Sequence, residues 1–324
     1  MHLLIEKNLL YNIVTTIHSN CKRIFKKILI VLIHFSLKQA NNSVIIIVNE
    51  RNDNIMYIDF HTHAFADSIV ERAMANLSKT SAKYGIYAHT DGTVNGLKEK
   101  LLSCDVSGAV ILPIATKPTQ QNTINNWAAS LKGDFFYPFG SVHPQAEDRL
   151  EELERIKELG LYGIKLHPDY QDFFVDDEEL IPVYKKCAEL DLPVLIHSGF
   201  DPLSPDLIHC MPDAAARAFD KVPDMTMILA HGGAMNEWDD VEKYLVGKKG
   251  NLYFDVAVIA GRIKPDQLLR IIKNHGVERI LFGSDCPWDT PANEIEMIKA
   301  LPLTDEEKDM IFYKNALKLL KLNK

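Results

Sequence analysis

From position 56 onward, short apolar runs alternate with longer amphipathic stretches. The runs are rich in β-branched and aromatic residues and are continuously apolar rather than alternating. That pattern predicts strands buried on both faces. Eight strands are expected, at Tyr57–His61, Ala109–Pro113, Phe135–Ser141, Gly163–His167, Pro193–His197, Met225–Ala230, Leu252–Val256 and Arg279–Gly283. Between them, Asp148–Leu159 spaces Leu150, Leu153, Ile156 and Leu159 for one buried helical face. Glu178–Leu190 and Pro265–His275 read the same way, and Asp305–Leu322 reads as a terminal helix that packs Ile311, Ala316 and Leu319 inward. After the second strand each interval suits one strand-plus-helix unit. The 269 residues from Met56 to Lys324 are close to the ~250 of a (β/α)8 TIM barrel. An open doubly wound sheet competes, but the Gly-rich dinucleotide turn it would carry is missing.

Residues 1–55 follow different rules. They contain none of the 16 Gly and none of the 15 Pro, and their 7 Lys/Arg against 3 Asp/Glu give +4, leaving −12 for the remainder of a chain at −8. A folded unit of that size would have to turn without its usual turn formers. Lys22-Arg23-Ile24-Phe25-Lys26-Lys27 followed by the apolar Ile28–Leu37 has the order of a signal peptide but lacks a small-residue cleavage site. The expectation is therefore an N-terminal extension over 1–55, disordered or upstream of the true start, and a single barrel domain over 56–324.

Composition narrows the function. With 36 basic and 44 acidic side chains, the chain lacks the basic face that neutralises phosphates, which argues against nucleic acid as a partner. Five scattered cysteines without a CxxC pair read as reduced thiols of a cytoplasmic protein. No apolar run reaches the ~18 residues that a membrane span needs. A small molecule is the expected partner.

Chemistry in a barrel is built where strands run out into loops. The first strand ends Asp59-Phe60-His61-Thr62-His63, the fourth Lys165-Leu166-His167-Pro168, the fifth His197-Ser198-Gly199, the sixth His231-Gly232-Gly233 and the eighth Gly283-Ser284-Asp285. A lone strand-end histidine is usually a hydrogen-bonded structural residue. Several at equivalent ends, with His61 and His63 two apart on one face, suit a divalent metal held by nitrogen and carboxylate.

These segments, together with Leu281-Phe282-Gly283-Ser284-Asp285-Cys286-Pro287-Trp288, resemble the amidohydrolase superfamily. The resemblance is greatest to its amidohydrolase-related branch of metal-dependent hydrolases and decarboxylases, and it spans 56–324 in strand order. It implies that His61, His63, His197 and Asp285 bind the metal, that Asp285 also acts as base, and that His231 polarises substrate or shuttles a proton. The ion implied is Zn²⁺, with Mn²⁺ open, and one ion is favoured over two. Lys165 would bridge two ions as a carbamate, contact a substrate carboxylate, or be structural. His167 and Trp288 are expected to shape the substrate pocket, with Asp169, Tyr170, Phe200 and Asp201 beside them. Barrels of this kind often pair, so a homodimer is also expected. The leading expectation is a hydrolase that directs metal-activated water at the carbonyl of an amide, cyclic amide or lactone. A decarboxylase of an unsaturated or aromatic acid is the alternative, and a non-catalytic ligand-binding barrel is the third reading.

Overall fold

The structure is a computed structural model that describes residues 56–322. The expected N-terminal extension lies outside the described residues. Strands β1 (Tyr57–Thr62) and β2 (Val106–Ile111) pair in parallel. Strands β3 (Ile164–Leu166), β4 (Val194–Ile196), β5 (Met227–Leu229), β6 (Leu252–Asp255) and β7 (Ile280–Leu281) form a second parallel sheet in sequential order.

The predicted strand Phe135–Ser141 joins the two sheets as a stave without a regular ladder. On one side Tyr137 N donates to Ala109 O and Phe139 N to Ile111 O, and on the other Lys165 N donates to Gly140 O. Pro138 sits in its middle with no N–H to give, so only isolated bridges form, Phe136 to Ala109 and Gly140 to Ile164. The ring closes where Phe60 N meets Phe282 O at 2.8 Å and Asp285 N meets His61 O at 2.8 Å. With that stave counted, eight staves make a closed barrel, as the sequence pattern requires.

Register sorts the side chains into two layers. Lys165, Leu195, Ile228 and Tyr253 stand level across β3 to β6. The last three pack with Ile58, Phe60, Val110 and Phe139 in one buried cluster that fills the barrel. Their neighbours Leu166, Ile196, Leu229 and Phe254 join the larger cluster between strands and helices. Each such side chain, fully buried, contributes about 1.5–3 kcal/mol. Lys165 alone interrupts the apolar interior row, at 0% exposure.

The terminal helix is one run with a change of pitch. It starts at a capping box, with Thr304 and Glu307 exchanging hydrogen bonds. It runs from Asp305–Asp309 through a π-helical turn at Met310–Lys314 into Asn315–Leu319. Ile311 and Ala316 are fully buried as expected, and Asn315 Nδ2 donates to the carbonyls of Val277 and Ile280. Among the described residues no helix is long and apolar enough to cross a membrane.

Candidate metal centre and active site

β1 carries the first two candidate ligands. Its register against β2 breaks between Asp59 and Thr62, the kind of irregularity that re-aims side chains beside active sites. His61 Nδ1 lies 2.8 Å from Asp255 Oδ2. The carboxylate can only accept, so that nitrogen carries the proton and Nε2 keeps its lone pair. His63 Nδ1 lies 2.8 Å from the Leu112 carbonyl, with the same consequence.

The two Nε2 atoms face each other at 3.2 Å, and Asp285 Oδ1 lies 3.4 Å from the first and 3.1 Å from the second. Burial would raise the Asp285 carboxyl, but His61, His63 and His231 outweigh it and hold it down to about 2. Burial, reinforced by Lys165, pushes His61 well below its ordinary range. Three acceptors therefore converge with no proton between them. The Lys165 ammonium, 3.3 Å from His61 Nε2, offsets part of their repulsion, and a divalent cation among them would offset the rest. Ligands ~2.0–2.2 Å from a tetrahedral ion lie ~3.3–3.6 Å apart, near the observed separations, so the triplet fits a divalent metal.

Supporting contacts explain the aim of these groups. Asp255 is fully buried, and its other oxygen accepts from His231 N and Ala257 N at 2.9 and 3.0 Å. Asp59 is not part of the triplet. It accepts from His61 N, Ser284 N and Ser284 Oγ, and so fastens β1 to the turn that presents Asp285. Burial raises its carboxyl to about 7. His231 and Asp285 sit in the left-handed backbone region, at φ 62° and 60°. Side chains there cost about 1–3 kcal/mol and persist where surrounding structure enforces them.

His197 stands apart from the triplet. His231 Nδ1 lies 3.0 Å from the Ala257 carbonyl and so holds its proton, which makes His231 Nε2 the acceptor for His197 Nδ1 at 3.0 Å. His197 Nε2 is left buried without a partner, 3.8 Å from Asp201 Oδ2. His167 stacks on His197 and on Tyr170, with ring centres 4.1 and 3.6 Å away, and approaches Asp201 Oδ2 at 3.6 Å. Lys165 Nζ lies 3.3 Å from His61 Nε2. Burial lowers its ammonium to about 8 against the pull of Asp285, Asp255 and Asp201.

A cavity of about 610 Å³ opens from the triplet, with Lys165, His167, His197 and Trp288 on its wall. A smaller one of about 60 Å³ shares His197, Asp285 and Trp288 and adds His231. The pocket also includes Arg72 and Trp127, on the helices Val70–Ser81 and Gln121–Ser130, and Arg262 in the loop after β6. Strand-end reasoning could not reach these three, because nothing in their local spacing marks them. His209, which the sequence left without a role, bonds Asp169 at 2.9 Å.

The amidohydrolase family profile (Amidohydro_2) matches residues 58–322. The chain belongs to the amidohydrolase family. It is an enzyme of that superfamily, and its relatives refine the picture. A gamma-resorcylate decarboxylase from Polaromonas sp. is 24% identical over 216 residues, 53% of this chain and 66% of that protein. A 2-amino-3-carboxymuconate-6-semialdehyde decarboxylase from Dictyostelium discoideum is 26% identical over 224 residues, 58% of this chain and 62% of that protein. The alignments thus span just under two thirds of these relatives' own length. A solved dihydroxybenzoic acid decarboxylase from Polaromonas, with bound manganese and 2-nitroresorcinol, superposes with a TM-score of 0.61 at 17% identity. The match covers 83% of this amidohydrolase and 97% of that chain. Decarboxylation, the second of the sequence expectations, finds better support in these names than hydrolysis does.

Proposed function

We propose that this amidohydrolase is a metal-dependent decarboxylase of an aromatic or unsaturated carboxylic acid, with His61, His63 and Asp285 as the core of a single-ion site. The observation that carries the reading is the fully buried Lys165 ammonium beside the acceptor triplet, in a chain whose named relatives remove carboxyl groups. The Lys165 amine lines the cavity beside the triplet, where its positive charge attracts a carboxylate into the barrel mouth. Manganese and zinc both suit this donor set.

When bound, the divalent ion supplies positive charge that holds a substrate oxygen and stabilises the charge developing as the bond to the carboxyl breaks. The chain's own groups do the rest. Lys165 orients the carboxylate. His231 and Asp285, which border the small cavity, stand there as acceptors, so the proton is taken up from solvent and relayed along this wall to the carbon that bears the carboxyl group. The bonding pair of the departing group returns to the conjugated system, so acid plus proton gives carbon dioxide and the shortened product.

The test is the metal-loaded protein with hydroxybenzoates and unsaturated acids on one side and amides and lactones on the other. Carbon dioxide release with intact amides and lactones is expected. Hydrolysis without carbon dioxide would overturn the reading and restore the metal-activated water mechanism.

A further inference from the structure

The larger cavity is far bigger than a one-ring acid needs. Even at the ~30 Å³ per heavy atom that water takes in the liquid, an acid of about eleven non-hydrogen atoms fills about 330 Å³, against about 610 Å³ here. The cavity's apolar lining comes from the helices Val70–Ser81 and Gln121–Ser130 and from the residues just before them. Ile69, Ala73 and Leu77 border it on one side, and Ile114, Ile124 and Trp127 on the other. Ile69 is 41% exposed and Leu203, on the same cavity, 46% exposed. Large apolar side chains left wet along a pocket wall mark surface that a ligand covers.

We infer that the substrate carries an apolar extension, an alkyl or aryl tail, that leaves the metal centre along the arm between Ala73 and Trp127. This inference rests on the decarboxylase reading for the acid end and adds the chemistry of the other end. The acid group sits by Lys165 and the triplet, and the tail covers Ile69 and packs on the Trp127 ring. Arg72, at the rim of the same cavity and without a hydrogen bond or ion pair among the described residues, leaves the tail's far end in a polar setting.

The experiment is isothermal titration of the Mn²⁺-loaded protein with 2,6-dihydroxybenzoate and its 4-methyl to 4-pentyl derivatives, with carbon dioxide release followed in parallel. Burial of each methylene is expected to tighten Kd about fourfold. In Ala73→Phe, which blocks the arm, that gain per methylene disappears, and in Trp127→Ala it shrinks. Each variant is compared with its own Kd for the tailless acid, so a change at the acid end does not enter. Flat or rising Kd along the series, or a full gain retained in both variants, overturns the inference even if carbon dioxide is released. The expected gain without any carbon dioxide would uphold the apolar arm and overturn the decarboxylase reading.

Discussion

Replacing Asp255 with Asn tests the tautomer argument on which the metal site stands. The carboxylate serves three donors at once, His61 Nδ1, His231 N and Ala257 N. Asn has the same shape but only one accepting oxygen. If that oxygen stays with the two backbone N–H groups, the amide NH₂ confronts the His61 Nδ1 proton. His61 then shifts its proton to Nε2 and loses the lone pair that faces His63 and Asp285. If the amide flips, two buried backbone donors lose their acceptor at about 1–3 kcal/mol each. The first arrangement is the less costly, so the substitution should act mainly on the metal. Loss of such a partner weakens binding about 10- to 100-fold, or about 1.4–2.8 kcal/mol. Chelator competition for Zn²⁺ and Mn²⁺ against native protein and Asp255→Asn measures it, with thermal melts of both apo forms alongside. Native-like Kd for both ions in a folded variant would refute the assignment of His61 Nε2 as a ligand atom.

Three further perturbations probe the scaffold. Burial lowers His275 from 6.5 to about 4. The unfolded chain therefore binds that proton first, and stability present above 6.5 is lost as pH falls towards 4. The arithmetic gives about 2 kcal/mol between pH 7.5 and 5. Urea melts should show that much extra loss in native protein relative to His275→Gln, and equal losses in the two would contradict it. A Cβ on Gly199, at φ +83°, would lie 2.1 Å from Met235 N and 2.4 Å from Met235 O. Gly199→Ala should cost more than about 2 kcal/mol, and an unchanged melting temperature would count against the described turn. Ser284→Ala strips Asp59 Oδ2 and Cys286 N of a partner and should cost about 1–3 kcal/mol by chemical denaturation, a figure that a surface serine would not approach.

The barrel was legible because parallel strands buried on both faces write themselves as continuous apolar runs. Pro265–His275 coincides with its predicted helix, and seven of the eight runs contain ladders. The exception is instructive. Phe135–Ser141 is as apolar as its neighbours, yet Pro138 withholds a donor, so the segment holds its place through bonds on either side of the proline. Periodicity reports burial, while ladder formation depends on each N–H. The terminal helix shows the same division, since its inward face was predicted and its π-helical turn at Met310–Lys314 was not.

The chemistry was legible only as far as it sits on strand ends. His61, His63 and Asp285 meet because closure brings the first and last staves together. His197, on the end of β4 and three strands from β7, turns instead to His231 and the Asp201 side. Spacing could assign both histidines to one mouth, but it could not choose between their nitrogens. That choice is made by carbonyls and carboxylates outside the motifs, Leu112 O for His63, Ala257 O for His231 and Asp255 for His61. Each of these accepts a hydrogen bond from one ring N–H and so decides what the other nitrogen can do. A motif fixes which rings arrive, and the acceptors behind them fix which lone pairs face one another. For this reason an isosteric change at Asp255, which touches no motif histidine's identity, should alter metal binding while leaving the barrel standing.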